Sequence, residues 1–244
     1  MAELICFYQD VLTNRPPQIN DFDYRDAVLK LQQTYKKFNK GQFTLISDFA
    51  TEKLDSQFDS YRLCDLNGLS LMENVCIANC FAVANNPGRY ILCGCDHLIN
   101  GKIDNMFDGT FDIGIMLVKG RVNNTIILVD TAYEQHVLVE EFFNKRLSIY
   151  QTLNSDMKKW GGDQMALTQL LASEGILPEK KNKNRVYDCM GLRIKLFDYK
   201  TNGTSGVSKS GPVYDKASSF IDFKGPLRKK HFDQVYTYIM LKSS

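Results

Sequence analysis

Residues 91–99 read ILCGCDHLI, an apolar run that closes on two cysteines, an aspartate and a histidine. Two readings compete: a metal or thiol centre made of Cys93, Cys95, Asp96 and His97, or the ligand-facing end of a buried strand. Zinc sites take ligands in pairs at CxxC or HxxxH spacing, with a second pair elsewhere. Here only Gly94 separates the two cysteines, so on a strand both thiols share one face, and no second pair stands at suitable spacing. A redox pair would want an adjacent positive charge to lower a thiol pKa, and none is present. Cys93 and Cys95 are therefore expected to pack as small hydrophobes. Asp96 differs. It follows a run that is apolar on both faces, the mark of a central strand covered on two sides. A carboxylate there can hold a divalent cation, or it can cap the following turn.

Outward from this strand the pattern alternates. "ELICFY" and "FTLISDF" read as strands. "DYRDAVLKLQQTYKKF" places Ala27, Val28, Leu31, Tyr35 and Phe38 at near-helical spacing. "LSLMENVCIANCFAVAN" is a helix stopped by "NPG" at 86–88. "FDIGIMLV" and "TIILVD" are strands joined by the turn-like "KGRVNN". "EQHVLVEEFFNKRLSIYQTL" and "WGGDQMALTQLLASEG" are helices, and "RVYDCM" and "IKLFDY" are short strands. The Gly/Ser/Lys-rich segment 201–212 is expected to be a mobile loop within one domain. This order predicts an α/β protein with a mostly parallel central sheet flanked by helices. Such sheets bind ligands at the carboxyl ends of their strands.

A net charge of +2 announces no global field for a polyanion. The N-terminus MAELICFYQDVL has no basic leader or cleavage site, and no apolar run approaches the roughly 20 residues of a membrane span. Seven cysteines, an odd number scattered through apolar segments, fit reduced thiols and a cytoplasmic protein.

Taken together, several segments resemble a GT-A glycosyltransferase, the Rossmann-like, nucleotide-sugar-dependent kind. "GRYILCGCDHLINGKIDNMFDGTFDIGIML" (88–117) resembles the family's central strand, DxD motif and following strand. "VNNTIILV" (122–129) resembles its "iNxGvilv" element, "WGGDQMAL" (160–167) its "GDQxal" helix start, and "DFKGPLRKKHF" (222–232) its C-terminal "HFkGxxKp" element. "ICFYQD…YRDAVLKL" and "LISDFAT" look like the virus and phage-type branch. The resemblance implies one domain over 1–244, with a nucleotide-binding half (1–100) and a sugar and acceptor half (101–244). There are departures. The DxD falls on Gly94, Cys95 and Asp96, so its first aspartate is missing. The C-terminal histidine is replaced by Asp222, and Thr125 replaces the glycine of the asparagine motif.

The same resemblance implies the site. Asp96 and Asp222 would hold Mn²⁺ or Mg²⁺, and Lys224, Arg228 and Lys229 would meet phosphate, with Gly225 letting the backbone approach. A diphosphate leaving group gains negative charge and needs a cation or basic groups beside it. Tyr8 and Asp48, ending the first two strands, are either nucleobase contacts or plain strand-end residues. Asn123 is a sugar contact or part of a hairpin turn. Asp163 is a general base or sugar contact, with Gln164 beside it, or simply a helix-capping residue. Trp160 is an acceptor platform or a buried anchor.

The expected function is sugar transfer from a nucleotide-diphosphate donor, first a UDP-sugar, to a hydroxyl acceptor. The acceptor would be a glycan, a protein or a hydroxymethylated DNA base, in the host cytoplasm if the protein is viral. "KLQQTYKKFNKGQ" (30–42) would serve a DNA acceptor. The alternative is a catalytically decayed scaffold that binds a nucleotide sugar or a partner.

Overall fold

The computed structural model describes residues 1–10, 22–51, 54, 58–131, 133–158, 161–208, 211–214, 218–223 and 228–242. The chain begins with β1 (Glu3–Phe7), α1 (Tyr24–Phe38), β2 (Phe43–Ser47) and β3 (Ser60–Leu63). Asp23 starts α1 by accepting the Asp26 N–H at 3.0 Å, an N-cap that satisfies one orphan donor. The buried face of α1 carries Ala27, Val28, Leu31, Thr34 and Tyr35. Next come α2 (Leu71–Ala84), β4 (Arg89–Gly94), β5 (His97–Ile99), β6 (Ile113–Val118) and β7 (Arg121–Asp130). Lys119 and Gly120 join β6 to β7 with φ of 55° and 80°, the left-handed pair that a two-residue hairpin requires. The turn expected over "KGRVNN" is thus confined to its first two residues.

Two helices follow, α3 (His136–Thr152) and α4 (Gly162–Ser173), then β8 (Arg185–Cys189), β9 (Leu192–Asp198) and the single turn α5 (Tyr199–Asn202). Four short strands, β10 (Gly203–Ser205), β11 (Val207–Ser208), β12 (Gly211–Pro212) and β13 (Phe220–Asp222), precede α6 (Arg228–Leu241). The predicted α/β architecture is present: a mostly parallel eight-stranded sheet in the order β3-β2-β1-β4-β7-β6-β9-β8, flanked by helices. β1–β2 and β6–β9 are parallel pairs, and β6–β7 and β8–β9 are antiparallel.

The chain divides into two compact units, Met1–Arg62 with Cys93–Met106 and Tyr199–Ser244, and Leu63–Leu92 with Phe107–Asp198. In the first unit a small second sheet runs β10-β13-β5. A core of Phe22, Ala27, Leu98, Ile221, Phe223, Phe232, Val235 and Ile239 ties α1 and α6 to it. In the second unit Cys76, Tyr150, Leu153 and Ala166 of α2, α3 and α4 and the residue after α3 form a packed cluster. Asp112, fully buried before β6, accepts the Arg193 backbone N–H at 2.7 Å and its guanidinium Nη2 at 2.7 Å. The pair clamps the starts of β6 and β9.

One expectation changes. Segment 201–212 is not one loop: its described residues include β10 and the antiparallel pair β11–β12. The basic residues from Arg228 open α6, whose later residues Phe232, Val235 and Ile239 are buried.

Gly206 follows β10, and its N–H donates to the Asp222 carbonyl at 2.8 Å. A Cβ there would meet Phe223 Cε1 at 2.3 Å and Ile221 Cγ2 at 2.9 Å. Both partners are fully buried and cannot move aside without repacking. Gly206→Ala should therefore lower the stability of the fold by about 1–3 kcal/mol. An unchanged urea midpoint would show that the ring has room to yield.

Candidate functional site

β4 stops at Gly94. Cys95 and Asp96 make a turn, and β5 begins at His97 in a different sheet. β5 runs antiparallel to β13, pairing His97 with Asp222, Leu98 with Ile221 and Ile99 with Phe220. The Phe223 N–H extends this ladder by donating to the Asp96 carbonyl at 3.0 Å. One strand pair thus joins the two aspartates that the sequence singled out. Asp222 is 5% exposed, and the Asp96 side chain is 17% exposed.

Three groups crowd them. The Tyr199 phenol hydrogen-bonds the Asp222 carboxylate. Burial, the charge of Asp222 and that hydrogen bond, with smaller effects from Asp96 and Cys93, push its pKa far above the usual value. His97 is fully buried, with Nδ1 3.2 Å from Asp96 Oδ1 and 3.0 Å from the Gly94 carbonyl. Its Nε2 has no hydrogen-bond partner among the described residues. Gly94 sits against both side chains: a Cβ there would lie 3.2 Å from Asp96 Oδ1 and 3.6 Å from His97 Nδ1.

Cys6 and Cys93 are buried, whereas Cys95 is half-buried. Burial, followed by neighbouring Cys95, Cys93 and Asp96, drives the Cys6 thiol well up, and burial does the same to Cys93. A thiol must lose its proton to ligate metal or attack a disulfide. Among the described residues no group of three or more His, Cys, Asp or Glu side chains forms a metal cage. A hard cation such as Mg²⁺ needs only one or two carboxylates when substrate phosphates and water complete its shell. The oxygen donors of Asp96 and Asp222 fit that kind of ion.

At the carboxyl ends of β1 and β2, Tyr8 and Asp48 come together. The Tyr8 N–H donates to the Ile46 carbonyl at 3.0 Å, and Ser47 Oγ donates to the Tyr8 carbonyl at 2.7 Å. Tyr8 itself is buried, whereas Phe49 beside Asp48 is 72% exposed. The Asp48 carboxylate accepts Gln9 Nε2 at 2.6 Å and the Thr51 N–H at 2.7 Å. Lys224 and Gly225 lie outside the described residues, as does Trp160. Arg228 and Lys229 occupy the first turn of α6, and their side chains are likewise outside the description.

In the second unit the sugar-side candidates gather at the start of α4. The β6–β7 register shifts between Ile115, paired with Ile127, and Met116, paired with Asn123. Residues 124–126 are therefore squeezed out as a bulge, a device that re-aims side chains. Asn123 does not face Asp163. Its Oδ1 accepts the Thr125 N–H at 3.1 Å and Oγ1 at 2.6 Å within the bulge. Asn124 makes the contact instead, donating Nδ2 to Asp163 Oδ2 at 2.5 Å.

Gly161, at φ 94°, lets the chain enter α4. A Cβ on Gly162 would lie 2.6 Å from the Met157 carbonyl. Arg146 of α3, 1% exposed, points Nε and Nη2 at the Asp163 carbonyl at 3.4 Å, with Nη2 3.7 Å from its carboxylate. Arg146 Nη1 has no hydrogen-bond partner among the described residues. Gln164 follows on α4, half-buried, and its carbonyl accepts Thr168 Oγ1 at 2.8 Å. Arg146 was a residue the sequence could have flagged, being a charge in phase with the buried Phe142, Phe143 and Tyr150 of α3. Asn124 carried no such signal, because nothing local announces a bulge.

No known family profile matches the chain, and no curated relative does. Solved structures do. A glycosyltransferase involved in glycosylation of the major capsid of PBCV-1 aligns with a TM-score of 0.55 at 9% identity, over 96% of this chain and 100% of that one. The glycosyltransferase GlyE of Streptococcus pneumoniae TIGR4 aligns with a TM-score of 0.58 at 9% identity, over 99% of this chain. The alignment takes in 63% of GlyE's own chain. At such identity the likeness is one of fold: the chain has a fold that glycosyltransferases use.

Burial raises the Asp48 pKa, but hydrogen bonds from Thr51, Gln9 and the Thr51 and Ala50 backbone outweigh it and hold the carboxyl below its usual value. Its stabilising contribution is therefore fully present above the unfolded value of about 3.9 and is lost as pH falls through the lower folded value. Asp48→Asn should be destabilising by a constant amount above about pH 5, with the gap to wild type closing below about pH 4. Urea melts across that range give the answer, and a gap that persists undiminished at pH 2 would contradict it.

Proposed function

We propose that the protein is a GT-A glycosyltransferase that moves a sugar from a nucleotide-diphosphate donor, first a UDP-sugar, to a hydroxyl acceptor. One observation carries the reading: the β5–β13 pairing joins Asp96, at the end of a central strand, to Asp222. With Asp96 and Asp222 as oxygen donors, this end of the strand pair would suit a diphosphate with its cation. A divalent ion held there would offset the charge that builds on the leaving diphosphate. Lys224, Arg228 and Lys229 would add fixed positive charge to the same task.

Tyr8 and Asp48 are the nucleobase residues in this reading. Asp48 is an acceptor suited to a pyrimidine ring N–H, and the exposed ring of Phe49 offers a stacking face. Base stacking on an aromatic side chain contributes about 1–3 kcal/mol, so Phe49→Ala should weaken UDP binding roughly tenfold. Equal UDP affinity in a calorimetric titration would remove Phe49 from the site.

Asp163 and Gln164 are the candidate sugar contacts, with Asn123 as a separate candidate held within the bulge, and Asp163 is the candidate general base. A base must come within hydrogen-bond reach of the acceptor hydroxyl. The capsid-modifying neighbour makes a protein-borne glycan the first acceptor to test. A modified DNA base is the second, and only that acceptor should lose affinity steeply with added salt.

A binding protein without turnover is the second reading, favoured by Gly94 where a DxD aspartate is expected. Release of UDP from a panel of UDP-sugars, with Mn²⁺ or Mg²⁺, separates the two. Turnover that falls by about a hundredfold or more in Asp96→Ala supports the enzyme. Donors that raise the melting temperature without any release leave the binding protein. Neither stabilisation nor release with any donor sinks both.

Gly94→Asp is the complementary variant. Its Cβ would meet Asp96 Oδ1 at 3.2 Å, a contact that a small carboxylate shift relieves. The added charge should lower the Mn²⁺ concentration needed for stabilisation by about tenfold. A higher requirement would mean that the two carboxylates repel without sharing an ion.

A further inference from the structure

Asp222 reaches its position through a strand pair with a second built-in feature. β10 runs parallel to β13, with Gly203 beside Phe220 and Ser205 beside Asp222. Tyr199 stands one turn of chain before β10, and its ring lies on Gly203. A Cβ on that glycine would come within 2.8 Å of Cε2 and Cζ and within 3.2 Å of the phenol oxygen. Only a residue without a side chain allows the ring to seat there. Gly206, at the far end of β10, closes the other side by fitting under Phe223. The strand that aligns Asp222 therefore also carries the seat for Tyr199, which is 6% exposed.

We infer that Tyr199 is a positioning residue for a divalent cation: its phenol holds one side of the Asp222 carboxylate so that the remaining oxygen lone pairs face the ion. This rests on the reading of Asp96 and Asp222 as cation ligands. The phenol O–H is the donor and the Asp222 carboxylate the acceptor. Ligating carboxylates are commonly fixed by such hydrogen bonds, and loss of the partner costs about 10–100-fold in metal affinity. A phenol that merely filled space would need no carboxylate beside it. A carboxylate that merely satisfied the phenol would be replaceable by an amide.

The test is a Mn²⁺ titration of the full chain, followed by thermal shift, on wild type, Tyr199→Phe and Asp222→Asn. Wild type should be stabilised by Mn²⁺. Tyr199→Phe should need about 10–100-fold more Mn²⁺ for the same shift, and Asp222→Asn, which can still accept the phenol's hydrogen bond, should not respond. If Tyr199→Phe melts too early for a thermal readout, free Mn²⁺ measured by electron paramagnetic resonance in the cold gives the same affinity. A Tyr199→Phe protein that binds Mn²⁺ as tightly as wild type overturns the positioning role while leaving the ligand reading intact. A wild type that does not bind Mn²⁺ overturns the ligand reading and this inference together.

Discussion

The antiparallel pairing of β5 with β13 is the constraint on which the first unit depends. Each strand is three residues long, too short to persist alone. Their ladder holds because Leu98, Ile221 and the adjoining Phe223 are buried against Phe232, Val235 and Ile239 of α6. The hydrophobic contacts fix the register, and the register decides which polar groups share the edge. A slip of one residue would send every side chain of β13 to the opposite face. Asp222 would then leave Asp96, and Ile221 would lose its place in the core. The apolar packing and the polar arrangement are thus two results of one alignment.

The second unit solves a comparable problem without a strand pair. Its polar cluster forms where a bulged strand, a buried arginine and a glycine-led helix start come together. Gly161 and Gly162 allow the entry to α4, the bulge turns Asn124 toward it, and Arg146 supplies positive charge from α3. An Asp near a helix N-terminus is favoured by the helix dipole. Here the dipole acts together with a guanidinium that is withdrawn from water, where its influence is less screened.

Much of the fold was legible in the sequence, and the reason is locality. The strands at 3–7, 43–47 and 89–94 and helices α1 to α4 announce themselves through their own apolar patterns, and α1 and α2 also through their caps Asp23 and Ser70. What escaped was non-local. β5, β10 and β13 are too short to carry a period, and they exist only because other segments pair with them. The complete burial of His97 follows from β5 joining another sheet. α6 was hidden by its basic opening, although Phe232, Val235 and Ile239 already stood at helical spacing. The adjacency of Asp96 and Asp222 along one strand pair was readable, because motif order reports their neighbourhood; the contacts of Tyr199 and Asn124 were not, because each forms only after the chain has folded.

The buried cysteines have one more consequence. Cys6 and Cys93 lie in the first unit, and Cys64, Cys76 and Cys189 in the second. Burial pushes the last three thiols up, those of Cys76 and Cys189 to about 11. A thiol-reactive reagent can reach such groups only when the surrounding structure opens. The chain thus carries natural reporters of local unfolding in both halves, and their labelling rates would show which half opens first without any added probe.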